Sequence, residues 1–270
     1  KSNNTNNRES LHDQIKVIYN ELADTDLKKY VLDNPSLGYD DHLKFLFNFC
    51  YSLTCFQYHI PGFRHNDIKP NNFLIKINKK YKKGSYDKYS IFGKDFYVPC
   101  TEYTLKFHDF DYSYSHDMKN AKVTSYERNA LRTFGVSDKD NPVFDLHLYI
   151  NFSLKDYKKI LDGMDDILEL YTSLIPPDTI GKSNTYTFNY KLTDYHNKPK
   201  HNSSGHGETN YIPPTMKTTA ELLLEDKNNI FEKFLLGKSS IHKTYDSNIP
   251  KIEDDSLYSR TDMFNTMPVE

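Results

Sequence analysis

Phe63-Arg64-His65-Asn66-Asp67-Ile68-Lys69-Pro70-Asn71-Asn72-Phe73-Leu74-Ile75 is the stretch whose reading decides this chain. It has the form H-x-D-x-K-x-x-N and runs straight into a short apolar run. Downstream, His108-Asp109-Phe110-Asp111 places a second carboxylate after the apolar run ending at Phe107. Asn and Asp cap turns everywhere, so either motif alone could be ordinary turn chemistry. Joined to a preceding amphipathic helix, a following strand and a second strand-borne Asp, they point to something more specific. Phosphoryl transfer from a nucleotide needs a carboxylate near the attacking hydroxyl and oxygen ligands for a hard cation.

In that chemistry each residue has a role. Asp67 is the candidate catalytic base, accepting or orienting the proton of the attacking hydroxyl. Lys69 sits where it can neutralise charge developing on the transferring phosphate. Asn72 supplies a neutral oxygen and Asp109 a charged one for Mg2+ or Mn2+. Leu74, on the strand leaving the loop, is placed to lie under the adenine ring of ATP.

Composition narrows the class. The chain has 270 residues, enough for one large domain or two small ones with a sizeable core. Mean hydropathy is −0.75, yet 22 Tyr and 17 Phe make the chain too aromatic to read as disordered. A net charge of −2 gives no global field for nucleic acid, and the basic run from Lys76 to Lys88 reads better as a solvated hairpin than as a nucleic-acid patch. Three cysteines without paired spacing argue against a disulfide framework and for a reducing compartment. Cys50 and Cys55 read as core residues. His196, His201 and His206 with Glu208 fit no standard zinc spacing. No apolar run approaches a membrane span, and no signal-peptide pattern opens the chain.

Along the chain, residues 1–15 read as a flexible lead-in. Lys16-Val17-Ile18-Tyr19 suggests a strand and 24–32 a short helix. Asp40 and Asp41 open a stronger helix, with Leu46, Phe49, Cys50, Leu53 and Phe56 at helical spacing and Pro61-Gly62 as its stop. Residues 73–77, 96–98 and 103–107 read as strands, and 79–88 as a hairpin tip. Residues 112–142 read as irregular, 144–152 as an apolar helix and 155–174 as one amphipathic helix. The stretch 196–210 reads as a flexible insertion. Thr218-Thr219-Ala220-Glu221 is a capping box opening a helix with Leu222, Leu223, Ile230, Phe231 and Phe234. The last thirty or so residues show little periodicity and are expected to wrap the surface. The fold class is therefore α+β, mainly α with a small β component.

The two motifs resemble the catalytic loop and metal-binding motif of eukaryotic-type protein kinases. His65 and Asp67 match the H-R-D motif, Lys69 the lysine typical of the serine/threonine branch, Asn72 the metal-binding Asn, and Asp109-Phe110 the start of D-F-G. Asp145 resembles the buried helix Asp that holds the catalytic loop. The segment from Val17 to Ala23 resembles the strand-to-hinge region, which implies adenine contacts near Glu21 and Ala23 and a ribose contact from Asp26. The resemblance covers about 16–236, with insertions at 78–100 and 194–214 and a C-terminal extension at 237–270. It implies a kinase-like C-terminal lobe closest to the divergent serine/threonine kinases of large DNA viruses, located in host cytoplasm or virion. It also implies ATP with Mg2+ or Mn2+ as cofactors and a protein as phosphate acceptor.

The departures from that pattern carry their own expectations. No G-x-G-x-x-G or V-A-I-K-like strand precedes the hinge-like segment, and the first residue is Lys1 rather than Met. The chain is thus expected to be a fragment or processed product whose N-lobe comes from an upstream segment or a separate polypeptide, and to be inactive alone. Asp111 replaces the usual Gly, Asn66 replaces Arg, and no A-P-E follows Asp109. With Asn66 in place of Arg, control by activation-loop phosphorylation is not expected. Two rivals stand beside this reading: a pseudokinase or structural protein that kept a kinase C-lobe as a binding platform, and a small-molecule phosphotransferase.

Overall fold

A computed structural model describes residues 22–124, 136, 138, 140–175 and 216–249. The expected strand at 16–19, Glu21 and the His-rich stretch 196–210 lie outside the described residues.

The architecture is mixed α/β and is organised by one helix. A two-residue strand β1 (Thr25–Asp26) leads into α1 (Leu27–Asp33), then α2 (Tyr39–His59). Asp40 and Asp41 occupy the first turn of α2 and His59 the last, complementing the helix dipole, and Gly38 N–H donates to Asp41 Oδ2 at 3.3 Å. Leu43, Phe45, Leu46, Phe47, Phe49, Cys50, Tyr51 and Leu53 are all buried, so α2 is apolar nearly all round, as a central helix must be.

Two three-stranded sheets flank it. The first has the order β1–β2–β5, where β2 is Phe73–Ile77 and β5 is Tyr103–Phe107, all antiparallel. The chain between β2 and β5 leaves and returns at a neck closed by Asn78 N–H to Glu102 O, 2.5 Å. Within that excursion, β3 (Tyr86–Ile91) and β4 (Lys94–Pro99) form a hairpin. The second sheet has the order β4–β3–β6, with β6 (Ile241–Asp246) lying parallel to β3.

Helices α3 (Ala121–Thr124), α4 (Phe144–Asp156), α5 (Lys158–Leu161), α6 (Asp165–Thr172), α7 (Thr219–Leu224) and α8 (Glu232–Leu235) complete the described residues. Phe49 stacks on Tyr149 of α4 at 4.3 Å and meets Phe73 and Phe107 edge-on or stacked at 5.9 Å, which welds α2 and α4 to the first sheet.

Four sequence expectations are corrected. The hairpin tip is not in 79–88 but at Phe92-Gly93, with φ of 54° and 73°. That is the pair of left-handed residues a two-residue turn needs. A phenylalanine there is unusual; its burial and the bond from Phe92 N–H to Ile249 O (3.2 Å) offset the strain. The helix expected over 155–174 is broken, because Gly163 takes φ +87° between α5 and α6. Its apolar face survives the break, with Leu161, Ile167 and Tyr171 buried. The helix opened by Thr218 stops at Leu224, and Asn228 at φ 57° separates it from α8. Lastly, residues 241–246, where little periodicity and a surface wrap were expected, form a sheet strand on the surface.

Candidate active site

The loop between α2 and β2 is built on a glycine. Gly62 has φ +66°, a conformation that strains any other residue, and a Cβ there would fall 2.3 Å from the His116 ring, which would have to shift. Arg64 then pairs with Tyr114 in an isolated antiparallel bridge, with both N–H···O distances 2.9 Å. Its guanidinium is buried 4.2 Å over the Phe144 ring. Burial pulls its pKa down to about 10 against the opposing fields of Asp145 and Asp140, so it stays cationic at neutral pH.

Asp145, in the first turn of α4, is fully buried, and its two oxygens accept the backbone N–H groups of His65 (2.8 Å) and Asn66 (3.0 Å). It does what the resemblance implied: it holds the loop by the backbone. Between those two bonds the chain turns sharply, with Asn66 at φ 65°. His65 Nε2–H donates to His108 O at 3.0 Å, and burial lowers the imidazole pKa, keeping the ring neutral. Asn66 Nδ2 donates to Tyr112 O at 3.0 Å. The H-x-D loop is thereby tied twice to the segment around Asp109.

Asp67, Lys69 and Asn72 meet directly. Lys69 Nζ donates to Asp67 Oδ2 at 2.8 Å, and Asn72 Nδ2 donates to the same oxygen at 3.0 Å and to Asp67 O at 2.7 Å. Lys69 is extended (φ −157°, ψ 156°), as a residue before proline prefers, and Pro70 opens the 3-10 turn Pro70–Asn72. Asn72 O accepts from His108 N–H at 2.9 Å, which carries the β2–β5 ladder one step further and sets Asp109 immediately beyond Asn72. Asp109 is left-handed (φ 62°, ψ 63°) and exposed, at the head of the turn Phe110–Tyr112. Such a conformation costs a non-glycine residue about 1–2 kcal/mol. Asp111, where the resemblance has Gly, pairs with Lys122.

The donor set suits a hard cation. Among the described residues, the bonds of Asn72 use its nitrogen and leave Oδ1, those of Asp67 use Oδ2 and leave Oδ1, and the Asp109 carboxylate has no hydrogen-bond or ion-pair partner. One neutral and one or two anionic oxygens, with the remaining positions left to water and phosphate, are what Mg2+ takes at nucleotide sites.

On the first sheet, Leu74 is directly opposite Asp26 on one side and Lys106 on the other, so the three share a face. Asp26 Oδ1 caps α1 by accepting from Lys29 N–H at 2.9 Å. Ala23 is partly buried and precedes Asp24, whose N–H donates to Ile75 O at 2.9 Å. Glu21 lies outside the described residues. Sequence reasoning missed Arg64, because an arginine in a polar loop gives no cue that it will be buried. It passed over Gly62 except as a helix stop.

Comparison with known proteins gives one finding and two blanks. Over 161 residues the chain is 26% identical to a protein named "Putative serine/threonine-protein kinase R400" of Acanthamoeba polyphaga mimivirus. The match covers 57% of this chain, which spans about a third (34%) of that relative's length. No family model matches the chain and no solved structure matches it. Among the described residues no helix is long and apolar enough to cross a membrane. The chain is thus similar, at a distance, to a viral protein of kinase description.

Proposed function

We propose that this chain carries the catalytic and metal-binding part of a serine/threonine protein kinase, a kinase-like C-terminal lobe that transfers the ATP γ-phosphate to a protein hydroxyl. The observation that carries the reading is the Asp67–Lys69–Asn72 cluster, on a loop held by two backbone bonds to buried Asp145, with Asn72 O bonded to the N–H of His108, the residue before Asp109. The similarity to the mimivirus protein supports the same reading.

In this scheme Asp67 Oδ1 takes the proton of a Ser or Thr hydroxyl. Lys69, partly exposed and paired with Asp67, turns toward the transferred phosphate and offsets its charge. Asn72 Oδ1 and Asp109 would hold Mg2+ or Mn2+, which would supply positive charge to offset that on the phosphate oxygens. Leu74 and Asp26, on one face of the first sheet, supply the floor for adenine and ribose, with Ala23 and Glu21 as the hinge. In the proposed scheme an upstream segment or a separate chain supplies the glycine-rich loop and strand lysine that cover the phosphates.

The test is phosphate transfer from labelled ATP to a generic protein substrate by the complete protein. Asp109→Asn and Asp67→Asn should each lower the rate roughly 10³-fold while moving stability by less than about 0.5 kcal/mol. Full activity in Asp109→Asn would sink the metal assignment. Labelling of small alcohols alone would favour a small-molecule phosphotransferase, and no labelling with intact folding would favour a pseudokinase.

A further inference from the structure

Away from this site, three segments far apart in sequence bring metal-ligating side chains together. Asp87 lies on β3, Cys100 directly after β4, and His242 on β6. Asp87 Oδ1 is 3.3 Å from Cys100 Sγ and 3.3 Å from His242 Nδ1, and the three ligand atoms all lie within 4.8 Å of one another. Asp87 and His242 are each only 20% exposed, and Asp87 also lines a cavity of about 170 Å³ between α2, β3 and β5.

We propose that Asp87, Cys100 and His242 form a binding site for a borderline-soft divalent cation, zinc foremost, that staples the C-terminal strand β6 to the hairpin. With Zn–N and Zn–O near 2.0 Å and Zn–S near 2.3 Å, tetrahedral angles separate neighbouring ligand atoms by about 3.3–3.5 Å. The two separations from Asp87 match that spacing. A thiolate and an imidazole disfavour Mg2+ and Ca2+, which take oxygen ligands, and suit Zn2+ or Co2+. Three protein ligands leave a fourth position for water.

The surroundings fit the chemistry. Cys100 N–H is fixed by Ser85 O at 2.9 Å, and Ser85 Oγ, which donates to Lys82 O at 2.6 Å, lies 3.4 Å from Cys100 Sγ. Without a cation, burial raises the Cys100 thiol pKa and the neighbouring Asp87 adds to the rise, opposed by Ser85 and the charge of Lys243. Binding therefore displaces the thiol proton to solvent as the metal–sulfur bond forms. The rival is a plain hydrogen-bonded triad, with Cys100 Sγ–H donating to Asp87, which has the same distances but no cation.

The deciding experiment strips the complete protein with a chelator, reloads it with Zn2+ or Co2+, and compares it with Cys100→Ser and His242→Ala. The site predicts one more tightly held zinc per chain in the parent than in either variant, with at least a 100-fold weaker Kd in the variants. It also predicts a thiolate-to-cobalt charge-transfer absorption in the parent that Cys100→Ser abolishes. Circular dichroism of the metal-free proteins checks that the variants fold; should His242→Ala fail, Asp87→Asn takes its place. No retained metal, equal retention by parent and variants, or a cobalt spectrum without thiolate character each overturns the proposal.

Discussion

Phe47 and Phe49 lie two residues apart on α2, about 200° around the helix, and the two regions they hold are fastened by different physics. Phe49 faces the first sheet, where it stacks on Tyr149 and meets Phe73 and Phe107. Phe47 faces the second, where it packs among Tyr89, Phe96, Phe231 and Phe234 at 5.2–5.5 Å. Both regions have an aromatic knot, but among the described residues only the first adds a fully buried carboxylate that grips loop backbone. Apolar packing tolerates small shifts of position. A carboxylate accepting two backbone N–H groups does not, because each donor left behind in the interior costs its full desolvation. The candidate active site lies in the region with the directional restraint.

The sharpest way to break this comparison is Asp145→Ala. It strands the N–H groups of His65 and Asn66 and should cost about 3–5 kcal/mol in urea denaturation, with phosphate transfer lost as well. Asp145→Asn keeps one acceptor and should cost about half as much. A loss below about 1 kcal/mol for Asp145→Ala would mean that packing, not the clamp, holds the loop.

Acid should act on the same region. His42 on α2 is buried against Tyr157 and Tyr171, and burial lowers its pKa to about 4; His147 on α4 is lowered to about 3. An unfolded histidine titrates near 6.5. Below that pH the unfolded chain binds protons that the folded chain refuses. The stability contributed by keeping these rings neutral is therefore complete above about pH 6.5, and it is lost as the pH falls toward the folded values. For His42 the loss by pH 4 is on the order of 3 kcal/mol. Denaturation midpoints between pH 7 and 4.5 should fall, and His42→Gln should flatten the slope. A slope unchanged in that variant would assign the acid sensitivity elsewhere.

The smallest effect is expected in the second region. Tyr245 of β6 stacks on Tyr89 of β3 at 4.7 Å. Tyr245→Ala should cost about 1–2 kcal/mol and speed amide exchange in β3 and β6. Exchange at the loop from His65 to Asn72, and phosphate transfer, should stay as they were. Faster exchange in that loop would show that the two regions are coupled through α2.

Local chemistry explains what was legible beforehand. The capping box at Thr218 forms as written, with Glu221 N–H donating to Thr218 Oγ1 (3.1 Å) and Thr218 N–H to Glu221 Oε2 (2.6 Å). The long helix stops at His59 before Pro61-Gly62, and 73–77 and 103–107 are strands. Each of these depends on residues within a few positions of one another. Phe92-Gly93 was not legible as a turn, because its left-handed phenylalanine is stabilised by burial and by Ile249 far along the chain.

The H-x-D-x-K-x-x-N order is written in the local sequence, and with it a turn short enough for Asp67, Lys69 and Asn72 to bond one another. Local sequence also determined which segments are apolar enough to be helices and strands around that turn. The burial of Arg64 over Phe144, the parallel pairing of β6 with β3 and the convergence of Asp87, Cys100 and His242 arise in the folded chain alone. The physical reason is separation along the chain. Spacing encodes contacts made within a turn or two, whereas these partners are joined only after the aromatic core of α2 has brought distant segments together.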